Sequence, residues 1–310
     1  MQVHPFRFGL STSWAPSGEA WLARARRAEE LGYATLLMPD HLGRQLSPSV
    51  ALGAAASVTT RMRIGTLVYA NDYRHPLMLA REAATLDHVS GGRLEFGIGA
   101  GWKVPDYRQL AMTYDPPPRR IDRMVESLRV IKRLFAGERV THRGTYYRLD
   151  DARLAPAPVQ RQIPIVIGGG GPRMLRIAAR EANIVGLLPQ FSPRGRPIFS
   201  QASEKETERK VAVIREAAGS QAAFERLELS VLVADGGVLD VRSPARSALA
   251  AAKAIGPLAI GGTPYLLYGT AAQIREGLLR RREKLGISYY VVHPRLLEPM
   301  APVVEALAGR

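Results

Sequence analysis

The chain has 310 residues, no cysteine, 46% hydrophobic residues and a formal net charge of +15 from 43 basic against 28 acidic side chains. The missing cysteine excludes disulfides, thiolate metal sites and cysteine nucleophiles, and no apolar run approaches the roughly 20 residues that span a bilayer. Only six of the basic residues are lysine, and the arginines are scattered without a basic arm, zinc-finger spacing or aromatic-basic interleaving, so nucleic acid is not an expected partner. The opening Met1 to Arg7 lacks the apolar stretch of a signal peptide, which points to a cytoplasmic protein.

The length suits two ordinary domains or one large α/β barrel, which takes about 250 residues before insertions. The order of elements favours the barrel, because β-rich apolar runs alternate with amphipathic segments from end to end. Phe6 to Ser11 reads as a first strand and Glu19 to Leu31 as its helix, with Gly32 placed to close it. Ala34 to Met38 is a second strand, Val50 to Thr59 a helix, Met62 to Tyr69 a third strand, and Leu77 to Val89 a helix with Pro76 near its first turn. Leu94 to Ile98 is a fourth strand and Arg119 to Ala136 a longer helix. Arg139 to Arg153 then reads as an excursion turning at Gly144.

Ile163 to Ile167 is a fifth strand, followed by a helix over Arg173 to Glu181 and a sixth strand over Asn183 to Leu188. A loop signal at Ser192 to Pro197 precedes a charged helix, Glu204 to Ala218, then a seventh strand, Glu228 to Ala234. The late helix Ile274 to Leu285 and the strand Ile287 to Val292 complete eight repeats. The expectation is one (β/α)8 TIM-barrel domain over residues 1–310, with insertions at about 139–153, 190–226 and 236–268.

In such a barrel the ligand sits where the strands' C-terminal ends open into loops. Asp40-His41 ends the second strand and is the strongest acid–base pair, since histidine exchanges protons near neutral pH and a neighbouring carboxylate tunes it. His293 at the end of the eighth strand is a second histidine, while His75 before Pro76 is as well suited to fixing a loop. Gly97, Gly99 and Gly101 recur every second residue, so one face of the fourth strand admits either a flat ring or a neighbouring chain. Gly168 to Gly171 follow a strand, precede a helix and are trailed by Arg173, an arrangement that suits a phosphate. Trp14, Trp102 and Tyr107 lie near strand ends and are expected to line an aromatic mouth for substrate, with the loop Gln190 to Ser203 covering it. Asp87, Ser90 and Arg93 sit at a helix end, a turn and a strand start, where such groups tie backbone. There is no His-x-His or His-Glu-x-x-His pair, so no metal is expected, and no Gly-x-Ser-x-Gly elbow.

Taken together, Pro39-Asp40-His41, Arg74-His75-Pro76 with Ala80, Leu86 to Trp102, Ile163 to Gly171 and Tyr268-Gly269-Thr270 resemble the bacterial-luciferase-like superfamily of flavin- and deazaflavin-dependent oxidoreductases. Arg74-His75-Pro76 and the ending Leu285 to Val292 give a closer likeness to the actinobacterial group that uses coenzyme F420. The resemblance implies a single barrel, usually a homodimer, that moves a hydride between deazaflavin C5 and an organic substrate, reducing C=C or C=N. It implies that Asp40 and His41 meet the ring, with His41 exchanging the proton. Leu67, Val68, Ala70 and Asn71 match the bulge behind the ring, with its non-proline cis peptide. Ala100 and Gly101 match ring-contacting backbone, and Gly169, Gly170, Gly171, Arg173 and Met174 match the phosphate and ribityl side. Arg44, Arg74, Lys103, Arg173 and Arg295 are placed for an acidic cofactor tail or for substrate. The sugar-phosphate dehydrogenases of the family carry a catalytic glutamate where this chain has Trp102, and a ring-binding asparagine where it has Pro105, which argues against sugar-phosphate oxidation; Asp106 is the nearest carboxylate. The alternatives are a monooxygenase using FMN from a separate reductase, and a non-catalytic flavin or deazaflavin binder.

Overall fold

The structure, a computed structural model, describes residues 4–190, 198–238 and 262–310. Its frame is a parallel sheet closed on itself. The strands are β1 (Arg7–Ser11), β2 (Thr35–Met38), β3 (Arg63–Thr66), β4 (Tyr69–Ala70), β5 (Leu94–Gly99), β8 (Ile165–Gly169), β9 (Ile184–Leu187), β10 (Glu228–Leu232) and β13 (Ile287–Val292). They pair in the order β3-β2-β1-β13-β10-β9-β8-β5-β4, and a further β3–β5 pairing closes the ring. β3 and β4 are two halves of one barrel strand, because both pair with β5: Gly65 lies opposite Glu95, and Tyr69 opposite Ile98. The register slips by one residue between them, so the third strand, a single run by its residue pattern alone, bulges where the resemblance placed a bulge. The Leu67–Val68 peptide within the bulge is cis.

Helices pack outside the ring. α1 (Gly18–Glu30) starts where the Ser17 side chain accepts the Ala20 N–H, and Gly32 follows its end at φ +82°, the conformation expected there. The Trp21 indole N–H donates to Ala51 O (2.8 Å), docking α1 on α2 (Pro48–Ala56). α3 (Pro76–Val89) and α5 (Pro117–Phe135) bury their apolar stripes against the strands. α6 (Pro172–Glu181) and α7 (Glu204–Ala218) follow, and the helix Ala271–Leu285 opens with a Thr270–Gln273 capping box. The antiparallel hairpin of β6 (Val140–Arg143) and β7 (Arg148–Ala152) turns at Gly144, whose N–H donates to Tyr147 O. The Glu126 carboxylate accepts the N–H groups of Thr145, Tyr146 and Tyr147 and fastens that turn to α5.

Five elements have no counterpart in the sequence reading: the short helices α4 (Val104–Gln109) and α8 (Gln221–Glu225), the C-terminal helix Ala301–Leu307, and the parallel strands β11 (Asp235–Val238) and β12 (Leu266–Gly269). The pair joins the two ends of the expected 236–268 insertion; residues 239–261 lie outside the described residues, as do 191–197 of the loop expected to cover the site. Short, glycine-containing or weakly periodic segments carry too little pattern to declare themselves.

Two apolar clusters result. The larger fills the space between strands and helices; the smaller, Leu37, Val166, Ile184, Tyr289 and Val291 with Leu67 and Leu232 against it, fills the barrel. The two-residue strand period stacks its inward positions in layers. At the N-terminal end of the strands the filling is ionic: Glu95, 1% exposed, takes Arg7 and Arg63, and Arg7 also reaches Glu228 at 2.6 Å. Above it, Gly9 makes room for Tyr289, whose ring carbon Cε2 lies 3.1 Å from where a Cβ would be. Toward the C-terminal ends the inward positions are small: Ser11, Gly99, Gly168 and Gly186. Among the described residues no helix is long and apolar enough to cross a membrane.

Candidate functional site

The strand ends gather an acid–base pair that the sequence order hides. Asp40 and His41 are neighbours beyond β2, yet they face different partners. The Asp40 carboxylate, 4% exposed, accepts the Ala70 N–H (3.1 Å) and pairs with Arg74 at 2.6 Å. Arg74 also approaches Glu82 at 3.4 Å. Asp40 therefore ties the loop after β2 to the far end of the β3–β4 bulge, and it is not the carboxylate that meets His41.

That carboxylate is Asp106. His41 Nδ1 lies 2.7 Å from Asp106 Oδ2, and Asp106 is fully buried. α4 places it there: Pro105 and Asp106 occupy the first turn, and Lys103 at the helix N-cap stands 3.3 Å from the other carboxylate oxygen. The Tyr73 hydroxyl donates to the same Oδ2 (3.3 Å), and burial together with Asp106 pushes its phenol well above the ordinary range. With Nδ1 held at the Asp106 carboxylate, the imidazole turns Nε2 away from it. Trp102 meets the imidazole edge-on, with ring centres 5.4 Å apart.

The glycine stripe before Trp102 serves the neighbouring chain, not an open ring-binding face. A Cβ on Gly97 would collide with Thr66 O, one on Gly99 would meet Val68 Cγ2 at 2.6 Å, and one on Gly101 would strike the Tyr107 hydroxyl. Gly97 and Gly99 let the bulged third strand lie against β5, and Gly101 makes room for Tyr107. Tyr107 is accordingly a correction. It is fully buried beneath Gly101, donates to Asp72 Oδ2 (2.9 Å), packs edge-on against Tyr73 and Tyr114, and lines no exposed mouth. Arg120, 4% exposed, holds the Ala100 and Gly101 carbonyls, Asp115 O and the Tyr114 hydroxyl, so the Ala100–Gly101 backbone is braced from α5. Neither Asp106's part nor that of Arg120 was read from the sequence; the Pro-Asp start of a short helix was the available signal for the first.

Asn71 is fully buried behind Ala70. Its amide donates to the Tyr147 hydroxyl (3.0 Å), which ties the bulge to the hairpin, and its Oδ1 is a buried acceptor with no hydrogen-bond partner. His75 caps α3, its Nδ1 accepting the Leu77 N–H (3.3 Å), which settles it as a loop-fixing residue. Asp87 accepts the Val159 and Gln160 N–H groups, and Arg93 spans the carbonyls of Ala56, Met62 and Ser90.

The Gly168–Gly171 run divides by role. Gly169 packs against Met174, where a Cβ would lie 2.7 Å from that side chain's own Cβ, and Gly170 against Leu188 O at 2.6 Å. Gly171 faces open space and caps α6 with no side-chain acceptor, leaving the first-turn N–H groups of that helix for an anion. The Arg173 guanidinium turns away from them, to Asp122 Oδ1 (2.5 Å) and Pro118 O (3.2 Å).

At the rim, Trp14 is 36% exposed with the Arg44 guanidinium 3.8 Å above its ring. His293 is exposed, and its surroundings with the Arg295 and Arg24 cations lower its pKa. Arg295 itself pairs with Asp235. Among the described residues no group of three or more His, Cys, Asp or Glu is placed to hold a metal ion.

A closed parallel barrel with a histidine–carboxylate pair at the C-terminal ends of its strands defines a (β/α)8 protein of the enzyme kind. The luciferase-like monooxygenase family matches residues 2–221, and the chain belongs to it. Over 187 residues it is 36% identical to an F420-dependent glucose-6-phosphate dehydrogenase of Microbacterium testaceum, covering 57% of this chain and 55% of that one. Over 166 residues it is 36% identical to 4-hydroxyprotoasukamycin monooxygenase of Streptomyces nodosus subsp. asukaensis, covering 51% and 44%. The matched part thus spans about half the length of these curated relatives. The fold follows that of the coenzyme F420-dependent tetrahydromethanopterin reductase of Methanopyrus kandleri with a TM-score of 0.74 at 20% identity, covering 98% of this chain and 99% of that one.

Proposed function

We propose that this chain is a coenzyme F420-dependent oxidoreductase that reduces a C=C or C=N bond of a small organic substrate, with His41 as the proton donor. The observation that carries the reading is the His41–Asp106 pair, 2.7 Å apart at the mouth of a barrel of this family. The 36% identity to an F420-dependent dehydrogenase supports the choice of cofactor. Trp102 and Pro105 depart from the residues expected for sugar-phosphate oxidation, so that relative's substrate is not carried over.

The residues fit such a cofactor on two counts. Ser11 and Gly168 put little bulk on the barrel side near the C-terminal ends of β1 and β8 for a flat ring to lie against, and Gly171 offers an unobstructed helix N-terminus for its phosphate. When bound in its reduced form the cofactor supplies the hydride. Asp106 fixes the orientation of the imidazole. His41 Nε2 delivers the proton to the substrate atom next to the one reduced, and Trp102 limits water at the histidine's edge. Arg120 and Asp40 keep the Ala100–Gly101 and Leu67–Ala70 backbone in place around the ring.

Titrating the purified chain with F420 and with FMN tests the assignment. F420 binding, followed by its oxidation or reduction on addition of substrate, is expected; binding of FMN alone would reassign the chain to flavin chemistry.

A further inference from the structure

The rim of the barrel carries cations that no carboxylate among the described residues neutralises. Arg44, exposed in the loop that follows His41, is stacked at 3.8 Å over the Trp14 ring. Arg24 reaches the same segment from α1, donating to Trp14 O (2.7 Å) and Thr12 Oγ1 (2.8 Å). Among the described residues neither guanidinium has a carboxylate within ion-pair distance, whereas Arg7, Arg63, Arg74, Arg123, Arg173 and Arg295 all do. The two loops are joined by a backbone hydrogen bond, Leu46 N–H donating to Ser13 O (2.9 Å). An exposed tryptophan ring under one guanidinium, with a second guanidinium at its backbone carbonyl and neither paired with a carboxylate among the described residues, is a surface suited to a conjugated anion, and Arg44 follows the proton donor by three residues.

We propose that Trp14, Arg44 and Arg24 form the substrate's carboxylate subsite, so that the molecule reduced here is a conjugated organic acid. This rests on the assignment of His41 as the proton donor of the reaction. Arg44 supplies a charge-assisted, two-pronged contact to the carboxylate, Trp14 the flat surface beside it, and Arg24 holds Trp14 in place while adding its charge. The oligoglutamate tail of F420 carries the same chemistry, and the test separates the two sources.

The measurement is calorimetric titration of the full chain with 2-naphthoate and with 2-naphthalenemethanol, and separately with F420 and with its tail-less deazaflavin chromophore. The expected result is that 2-naphthoate binds about tenfold or more tightly than the alcohol, and that Arg44→Glu removes this preference while Arg44→Lys keeps part of it. Both cofactor forms should bind Arg44→Glu as they bind the parent chain. Equal binding of the two probes, or a 2-naphthoate affinity indifferent to Arg44→Glu, overturns the proposal. So does a loss confined to tailed F420, which assigns the cations to the cofactor. Selective binding of 2-naphthoate with no binding of F420 keeps the anion subsite and removes the F420 reading.

Discussion

The two ends of the barrel use the same side chains for opposite purposes. At the N-terminal end of the strands Arg7, Arg63, Glu95, Glu228, Thr35 and Tyr289 are locked together, with Arg7 bonded to Glu95, Glu228 and Thr35 at once. At the C-terminal end His41 has one ring nitrogen engaged, and Arg44 and Arg24 have no acidic partner among the described residues. Burial explains the difference. A charge inside the barrel must be matched, because an unmatched one costs several kcal/mol; a charge at the rim keeps its water until a ligand displaces it. Saturated electrostatics make a plug, and unsaturated electrostatics make a site.

The largest expected effect separates the two ends by activity. His41→Ala should lower kcat by about 10²–10⁴-fold, the range for a lost general acid, while thermal melting and cofactor affinity stay at their parental values. An unchanged kcat would remove the proton-transfer role from this end. The converse variant, Glu95→Ala, should destabilise the fold by about 3–5 kcal/mol in urea unfolding because it leaves Arg7 and Arg63 without their shared carboxylate, yet the folded fraction should keep its kcat. Asp106→Asn mixes the two behaviours, as Asp106 is buried like the plug but acts through His41. It should lower kcat by roughly 10²-fold with little change in cofactor affinity, and Asp106→Glu should restore part of the loss. Equal losses in both variants, together with a lowered melting temperature, would make Asp106 a packing residue.

The smallest effect reads the plug through pH. Burial pushes the Glu228 carboxyl up to about 7 from 4.5, against the opposing pull of Arg7. A raised carboxyl binds its proton more tightly in the folded chain, so its contribution to stability is present below pH 4.5 and is lost as pH rises through 7. Glu228→Gln should therefore gain stability relative to the parent between pH 5 and pH 8, on the order of 2–3 kcal/mol, measured by urea unfolding at both values. A difference independent of pH would show that Glu228 stays ionised.

Most of the frame was legible in the sequence because strands and helices announce themselves by local period. The eight barrel strands, the Gly32 and Pro76 helix boundaries and the turn at Gly144 fall where the residues place them. The site was legible only in part. His41, Trp102 and Gly171 stand at strand or helix ends, and position along the chain was enough to place them at that end of the barrel. Tyr107 was misread because adjacency in sequence to Trp102 says nothing about which way a short helix turns its side chains, and α4 turns this one under Gly101.

The sequence by itself determined the alternation of strands and helices, hence the barrel and the end of it where a ligand sits, since these follow from local periodicity and from the handedness of β-α-β crossovers. Only the tertiary structure decided which carboxylate serves His41. Asp40 is adjacent in the chain and Asp106 lies in another loop, and the choice between them rests on where the closed ring carries the α4 turn and on the Ala70 amide and Arg74 having already engaged Asp40. It also decided that the glycines before Trp102 admit a strand: the gap left by a missing Cβ has no occupant until the neighbouring backbone is in place.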